Sequence, residues 1–309
     1  MDASLFDCPL TFMRLPFGHD LSRARVAVVG IPFDVGTDAS RVGARLGPQA
    51  IRQQSLRVGA NFPPDADLDV PRALGGVDCG DVRVIPSYLD EAHAAIEAAI
   101  GGVIASGTIP VTMGGDGTVT LPQLRAVSKR YPGLAVLHID AHTDAVYGEG
   151  RAFATGTTFT RAAEEGLVDV ASSLHIGVRG PHKGAGVYRQ CDALGYPMVN
   201  FAALRARGIA DVMAEVHQRM AGRPVYVCFD MDFFDPACAP GVCAPTPGGA
   251  SSEEGLAIVD AVQGLDVVAV DVNTVSPPHD PAGITALLAA RVMLGFMLNV
   301  WRSPAARNS

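Results

Sequence analysis

Short apolar runs rich in valine alternate with longer segments of helical periodicity along most of this chain, and this alternation constrains the fold more than any other feature of the sequence. Continuous apolar strands separated by helices are typical of a parallel sheet that is covered on both faces. We predict strands at six of these runs: residues 25–31, 108–113, 134–139, 174–178, 224–229 and 266–272.

The predicted helices have recognisable start signals or periodicity. Pro48 occupies a first-turn position before residues 49–58, and Ser251 can cap a helix that has Glu254 close behind it. A last helix is predicted for about residues 284–301. One further helix is predicted from apolar residues that recur at helical spacing: Leu89, Ala92, Ile96, Ile100 and Val103.

The chain has 309 residues, a length that a single layered α/β core routinely reaches. We find no internal repeat, low-complexity tract or Gly/Ser linker. The polar, proline-bearing segment 61–71 is predicted to be a surface loop, because the alternation of strands and helices resumes on both sides of it. We therefore expect one domain over residues 1–309.

Charge and cysteine content narrow the function. The formal net charge is -8 and no block of Lys or Arg occurs, so we expect neither a nucleic acid nor an anionic membrane as partner. The first residues lack the basic and apolar regions of a signal peptide, which predicts a cytoplasmic protein. Six cysteines occur without any C-x-x-C pair, so we expect reduced thiols rather than a zinc finger.

Acidic residues follow three of the predicted strands, and the first of them is Asp116 in G-G-D after residues 108–113. The pattern D-x-H-x-D follows residues 134–139, and D-x-D follows residues 224–229. Ligands of an open parallel sheet gather at the carboxyl ends of its strands, and alternate side chains of an extended segment point the same way. The sequence therefore predicts five candidate metal ligands: Asp140, His142, Asp144, Asp230 and Asp232.

Four carboxylates and one imidazole so close together would repel one another unless cations lay between them. Oxygen-rich ligation with one nitrogen donor suits Mn²⁺, or else Ni²⁺, Co²⁺ or Mg²⁺, and two ions roughly 3.5 to 4 Å apart are the usual arrangement for hydrolysis. The alternative is a local structural role for each residue. Asp116 would then cap a helix, Asp140 and Asp144 would fix a loop, and His142 would be hydrogen-bonded in a crevice.

With these motifs the chain resembles the ureohydrolases, the arginase and agmatinase superfamily, and the agmatinase branch in particular. The resemblance covers nearly the whole length, and its motifs occur in this order: F-M-R-L-P, G-I-P-F-D, G-A-R-L-G-P-Q-A-I-R, V-D-C-G-D, I-D-A-H-T-D, F-D-M-D-F-F-D-P-A-C-A-P-G, V-S-P-P-H-D and I-T-A-L. It implies a three-layer α/β/α fold with a central, mainly parallel sheet and a trimeric or hexameric assembly. It also implies hydrolysis of a guanidine or amidine C–N bond by water that two metal ions activate.

The chain departs from the family pattern at four places in the expected site. A glycine, Gly117, stands where the family motif G-G-D-H has a metal-binding histidine, and Thr274 stands where V-E-V has the glutamate that holds the guanidinium. Thr155 replaces a histidine before a Gly-Thr pair. The fourth departure is in a loop that usually reads A-P-G-T-G-T-P, where this chain has Val242, Cys243 and Ala244.

These departures affect the two implied metal sites differently. The first implied metal site keeps only the carboxylates of Asp140, Asp144 and Asp230. The second implied metal site is complete, because it is matched to Asp140, His142, Asp230 and Asp232. We therefore expect one divalent ion per chain at most, Mn²⁺ or Ni²⁺, or none. Losing a charged guanidinium partner and a proton shuttle also removes strong catalytic contributions, so we assign no catalytic residue.

Three functions fit this pattern. The first is a catalytically impaired subunit that supports an intact homologous ureohydrolase subunit acting on a guanidine or biguanide, similar to metformin hydrolase, in which one of two subunits lacks the full metal set. The second is an active amidinohydrolase of altered specificity that uses one metal or a rebuilt pair, with Cys243 as a ligand, a nucleophile or only a packed side chain. The third is a binding protein without metal.

Overall fold

A computed structural model describes residues 10–37, 39–59, 67–147, 153–182 and 184–303. Within these residues one sheet contains eight strands, all parallel, in the order β2-β1-β3-β8-β7-β4-β5-β6. The strands are β1 (Val26–Gly30), β2 (Val77–Asp81), β3 (Ile109–Met113), β4 (Ala135–Ile139), β5 (Leu174–Ile176), β6 (Met198–Val199), β7 (Pro224–Asp230) and β8 (Asp266–Asn273).

Helices cover both faces of this sheet and give the three α/β/α layers that the sequence predicts. The helices are α1 (Gly47–Ser55), α2 (Val70–Ala73), α3 (Leu89–Ala105), α4 (Thr120–Arg130), α5 (Thr158–Glu164), α6 (Val187–Leu194), α7 (Phe201–Arg207), α8 (Ile209–Arg219), α9 (Ser252–Ala261) and α10 (Ile284–Arg302). Apolar residues of α1 and α7–α10 form one buried cluster with the sheet, and those of α3–α6 form the other.

Alternate residues of a strand contribute to opposite layers. In β7, Val225 and Val227 belong to the cluster with α8–α10, whereas Tyr226 and Cys228 belong to the cluster with α3–α6. This is the period-two alternation of an extended strand. The same alternation determines which residues of β4 and β7 lie on the same face of the sheet as the acids that follow these strands.

All six predicted strands are present, with ends that shift by no more than a few residues. The two strands that the sequence did not reveal are β2 and β6. The sequence of β2 is V-D-C-G-D, a polar edge strand that is only partly buried, and β6 has two residues. Both lack the continuous apolar run that identified the other strands.

The helix signals give a mixed outcome. The capping box is present at α9, where Glu254 N donates to Ser251 Oγ at 3.1 Å and Ser251 N donates to Glu254 Oε2 at 2.8 Å. The predicted surface loop 61–71 lies partly outside the described residues, and the prediction is wrong at its end. Val70 and Pro71 belong to α2, whose first turn Asp69 caps by accepting from Arg72 N.

The last helix, α10, is long and apolar enough to cross a membrane by length and composition alone. In the fold, 72% of its apolar window is buried, and it packs against α1 and α9. Its apolar character is therefore accounted for by core packing.

Candidate metal centre

The predicted acidic residues lie together at the carboxyl ends of the neighbouring strands β4 and β7. Ile139 pairs with Phe229 in the sheet, so Asp140 and Asp230 follow at the same level on adjacent strands. Asp140, Asp144, Asp230 and Asp232 are buried, and His142 is partly buried. The structure thus brings all five candidate ligands to one edge of the sheet, although their role as ligands stays a prediction.

The five candidate ligands fall into two overlapping groups, and the ligand atoms of each group lie within 4.8 Å of one another. The first group contains Asp140, Asp144 and Asp230, and His138 is its fourth member. In the second group, His142 Nδ1 is 3.3 Å from Asp140 Oδ1 and 3.6 Å from Asp232 Oδ2. Asp140 is common to both groups, whereas Asp230 belongs only to the first of these two and also to a third group with His138 and Cys228.

The charges of this cluster cannot all coexist without a counter-ion. Burial and the negative charge of Asp140 raise the pKa of Asp144 and of Asp230 well above the usual range, and they raise the pKa of Asp232 to about 7. Burial also opposes ionisation of Asp140, but the charge of His142 and the further interactions with His142 and His138 together outweigh burial and hold the pKa of Asp140 well below its usual value. A divalent cation would neutralise the carboxylates that now resist ionisation.

Buried polar atoms without partners also fit a cation. Within the described part of the chain, Asp140 Oδ2, Asp232 Oδ1 and His138 Nε2 are buried and make no hydrogen bond. Such atoms are costly unless something binds them, because buried polar groups are normally satisfied. The donor set of carboxylates and imidazoles suits Mn²⁺ or a similar divalent ion.

Gly117 faces the first group of ligands. A Cβ placed on Gly117 would lie 3.1 Å from Asp144 Oδ2 and 3.7 Å from Asp230 Oδ2, so a side chain at this position would enter the cluster. The neighbouring Asp116 caps the turn Gly117–Val119, which is the local structural role that is the alternative to metal binding. Its carboxylate accepts from Thr118 N at 3.0 Å and from Gly36 N at 2.7 Å.

Thr274 lies in the wall of the cavity above the ligands, and its hydroxyl is already engaged. The hydroxyl accepts a hydrogen bond from Met231 N at 3.0 Å and donates one to Asn273 O at 2.7 Å. The residue also has a φ of 70°, in the left-handed region that a β-branched side chain rarely adopts. Thr274 therefore serves the backbone around β7 and β8 and offers no charge to a cationic substrate.

The two ligand groups open into a cavity of about 450 Å³. Its walls include Thr155, Ala244 and Thr274, which are three of the positions that depart from the family pattern. Cys243 also lines the cavity, but burial raises the pKa of its thiol well above the usual value, so the neutral thiol is favoured over a nucleophilic thiolate. Cys238 donates to Asp235 O and Ala250 O, which is a packing role.

Two histidines of the site were missed from the sequence. His182 lines the cavity, and its ring centroid is 5.8 Å from that of His142. It lies in a loop, where no strand spacing reveals direction. His138 could have been found, because it precedes Asp140 by two residues and a strand turns alternate side chains to the same face.

Comparison with known proteins agrees with this geometry. Residues 24–299 match the family described as the arginase family. The chain belongs to the arginase family. Its relatives include an agmatinase of Cronobacter sakazakii, 38% identical over 299 residues, with 95% of this chain and 94% of the relative covered.

Two further relatives show the breadth of this arginase-family neighbourhood. The human mitochondrial guanidino acid hydrolase is 37% identical over 284 residues, which cover 92% of this chain and 80% of the relative. The solved structure of the proclavaminate amidino hydrolase from Streptomyces clavuligerus is 34% identical and has a TM-score of 0.88, with 96% of this chain and 98% of that chain covered. The chain thus belongs to the agmatinase-like branch of the ureohydrolase family and has an arginase-like fold.

Proposed function

We propose that this chain is a catalytically impaired ureohydrolase subunit, and that it supports an intact homologous subunit in the hydrolysis of a guanidine or biguanide C–N bond, in the manner of a metformin hydrolase. Family scaffold motifs run through the whole chain, while the departures from the family pattern gather around one cavity. The chain thus retains the family fold but lacks functional groups at the reaction site.

The observation that carries the proposal is the state of Thr274. A guanidinium is held most strongly by a carboxylate, because a charge-assisted hydrogen bond is roughly twice as strong as a neutral one. Thr274 is neutral, and its hydroxyl is bound to Met231 N and Asn273 O. A guanidinium in this cavity would lack its charged partner on that wall.

The site also lacks two imidazoles that the family resemblance leads one to expect. Gly117 has no donor atom, and Thr155 has no group that transfers a proton near neutral pH. A positioned general acid or base contributes about 10²- to 10⁴-fold to a rate. We expect turnover by this chain alone to be slow or absent.

Assembly with a related subunit is supported by an exposed apolar groove. Ile284 and Leu287 at the start of α10 are 47% and 36% exposed and line this groove with Val58, which follows α1. The groove has a volume of about 560 Å³. Apolar surface of this kind is typical of protein interfaces, and ureohydrolase subunits pack in closed rings.

The cavity still provides for a metal ion. Asp140, His142 and Asp232 would hold an ion such as Mn²⁺ or Ni²⁺, with Asp144 and Asp230 beside it. Such an ion, when bound, lowers the pKa of a water molecule and so supplies a nucleophile near neutral pH. The role of these residues in the subunit would be to bind the ion and order the cavity.

A second candidate function is an active amidinohydrolase of altered specificity. It is favoured by the cavity of about 450 Å³, which stays open above the intact group of Asp140, His142 and Asp232. The neutral Thr274 and the Val242–Ala244 part of the loop suit a substrate that lacks a compact guanidinium head. The relatives are named for different substrates, namely agmatine, guanidino acids and proclavaminate, so related proteins of this fold differ in the substrate for which they are named.

One experiment distinguishes the two functions. The purified chain, any intact ureohydrolase that is encoded beside it and the mixture of both are assayed with Mn²⁺ or Ni²⁺ for urea or amine release from agmatine, guanidinobutyrate and metformin. We expect no turnover by the chain alone, a stable complex with the partner, and higher activity of the mixture than of the partner alone. Substantial turnover by the isolated chain would contradict the subunit proposal and favour the second function.

A further inference from the structure

A row of buried polar side chains crosses the sheet directly beneath the candidate metal centre. Thr112 pairs with Asp271, Asp271 with Cys228, Cys228 with His138, and His138 with His175, in five neighbouring strands. All five are buried. Because side chains two residues apart on a strand share a face, this row lies one layer below Asp140 and Asp230.

His138 stands at the point of the row that touches the acids above. Its Nε2 is 3.2 Å from Asp140 Oδ2 and 4.0 Å from Asp230 Oδ1. The side chain is only 1% exposed, yet Nε2 makes no hydrogen bond within the described residues. The contact with Asp140 is thus close without having the geometry of a hydrogen bond.

These separations suit a shared cation. Two ligand atoms that are each about 2.1 Å from one ion lie about 3 to 4.2 Å apart. Both distances from His138 Nε2 fall in this range. Asp144 completes the group, and all four ligand atoms lie within 4.8 Å of one another.

The other nitrogen of His138 is fixed in the way that metal-binding histidines usually are. His138 Nδ1 is 2.7 Å from His175 Nδ1, so one ring donates to the other. The ring is also packed against Phe159, with centroids 4.4 Å apart. When His138 Nδ1 donates to His175, the lone pair of His138 Nε2 is free to bind a metal.

We infer that His138 supplies the nitrogen ligand that Gly117 cannot, so that a divalent ion is held by His138 Nε2, Asp140, Asp144 and Asp230. The imidazole enters from the floor of the sheet, whereas a side chain at Gly117 would enter from the loop beside Asp144. The chain then binds two ions rather than the single ion that its loop sequence predicts.

Cys228 is the competing donor in this row. It lies with His138 and Asp230 in a third group of ligand atoms that are within 4.8 Å of one another. Its Sγ, however, donates to Asp230 Oδ1 at 3.4 Å, so its hydrogen is already used. Mn²⁺ also prefers oxygen and nitrogen ligands to sulfur, which favours the imidazole.

This inference goes beyond the proposed function, because metal retention does not require turnover. An ion drawn toward the floor of the sheet would neutralise Asp144 and Asp230 and stabilise the cavity even in a subunit without activity. Turnover by the isolated chain would contradict the proposed function but not the assignment of His138 as a ligand. Metal binding that does not depend on His138 would contradict the ligand assignment but not the proposed function.

The first test uses Mn²⁺ alone as the probe. Metal-depleted wild-type chain, His138→Phe and the control His93→Phe are titrated with Mn²⁺, and bound metal is measured per chain after dialysis. His93 is a suitable control because it is 4% exposed and packs between Phe33 and Phe153 rather than at the acids. Both of its ring nitrogens are without a hydrogen bond among the residues that the structure describes.

We expect two Mn²⁺-binding steps in the wild type and in His93→Phe. In His138→Phe one of these steps should weaken by roughly 10- to 100-fold or more, as changes around a bound metal do. Equal Mn²⁺ binding by His138→Phe and the wild type would overturn the inference, as would a single binding step in the wild type. Cys228→Ser should keep both Mn²⁺-binding steps. If Cys228→Ser loses one binding step and His138→Phe loses none, the ligand is the sulfur of Cys228 and the inference is wrong.

A second measurement needs no variant and therefore does not depend on whether His138→Phe folds. Crystals of the wild-type chain grown with Mn²⁺ should show an anomalous peak within about 2.3 Å of His138 Nε2, close to the usual metal–nitrogen distance. A peak bound by Asp144 and Asp230 but separated from His138 Nε2 by a water molecule would overturn the inference.

Discussion

Thr155 occupies the space that a side chain at Gly117 would need. A Cβ built on Gly117 would lie 2.7 Å from Thr155 Cγ2, closer than such carbon atoms pack. The two positions that lack the family's histidines are therefore in contact. A substitution at Gly117 is therefore expected to depend on the residue at position 155.

This contact predicts that Gly117→His is poorly tolerated by itself. We expect the single variant to lose about 1 to 3 kcal/mol of unfolding free energy, the usual cost of overpacking a buried site. The pair Gly117→His with Thr155→Ser, which removes the crowding methyl group, should recover most of this loss and should bind Mn²⁺ more tightly than the wild type. Urea unfolding and Mn²⁺ titration measure both effects, and Thr155→Ser alone is the control. Additive effects of the two substitutions on stability would contradict the coupling.

The shared position of Asp140 predicts a different metal phenotype for each acid. Asp144→Asn should weaken one Mn²⁺-binding step, Asp232→Asn should weaken the other, and Asp140→Asn should weaken both, because Asp140 alone belongs to both of these ligand groups. Bound Mn²⁺ per chain after dialysis checks this order. Equal losses in all three variants would show that the ions do not bind in these groups. Asp235→Asn is a control, because its carboxylate accepts from the backbone nitrogens of Ala237, Gly248 and Gly249.

The pKa shifts of the buried acids predict how the metal-free chain responds to pH. The pKa values of Asp144, Asp230 and Asp232 are raised on folding, and that of Asp232 reaches about 7. Groups of this kind stabilise the fold below their unfolded pKa of about 3.9, and that contribution is lost as the pH rises through the folded pKa. Asp140 has the opposite shift, so its contribution is already complete near neutral pH.

With EDTA present, the free energy of unfolding should therefore fall between about pH 4 and about pH 7, by roughly 1.4 kcal/mol per pH unit for each carboxyl that titrates there. Saturating Mn²⁺ should remove or reverse this slope, since a bound cation favours the ionised acids. Denaturant unfolding at several pH values measures both slopes. Asp232→Asn should show a shallower decline, and a metal-free chain that gains stability over this range would contradict the assignment.

The hydroxyl of Thr274 predicts a stability effect that separates its backbone role from a role in substrate binding. Thr274→Val keeps the shape but leaves Met231 N without its acceptor, which should cost about 1 to 3 kcal/mol. Thr274→Ser keeps both hydrogen bonds and should cost less than about 1 kcal/mol. Thermal and urea unfolding of the two variants test this, with equal stability of Val and Ser as the contradicting result.

Much of the candidate site could be predicted from the sequence, because the acidic residues directly follow strand segments that the sequence identifies. D-x-H-x-D and D-x-D each follow an apolar run, which predicts that the acids lie at one edge of the sheet. The period-two rule does not extend beyond the strand: Asp144 has a φ of 45°, and His142 and Asp144 lie in different ligand groups. The same rule applied one step earlier would have added His138. His182, by contrast, gave no signal, because a loop has no fixed periodicity from which its direction follows.

The sequence by itself determined the alternation of strands and helices, the acids at the strand ends and the absence of a donor at Gly117, since each depends on residues that are neighbours in the chain. Only the tertiary structure decided which distant residues meet. β7 is inserted beside β4, which brings Cys228 and Asp230 next to His138 and Asp140, and the chain returns to place Thr155 against Gly117. Sheet order and register are set by the packing of the whole core, and no local pattern encodes them.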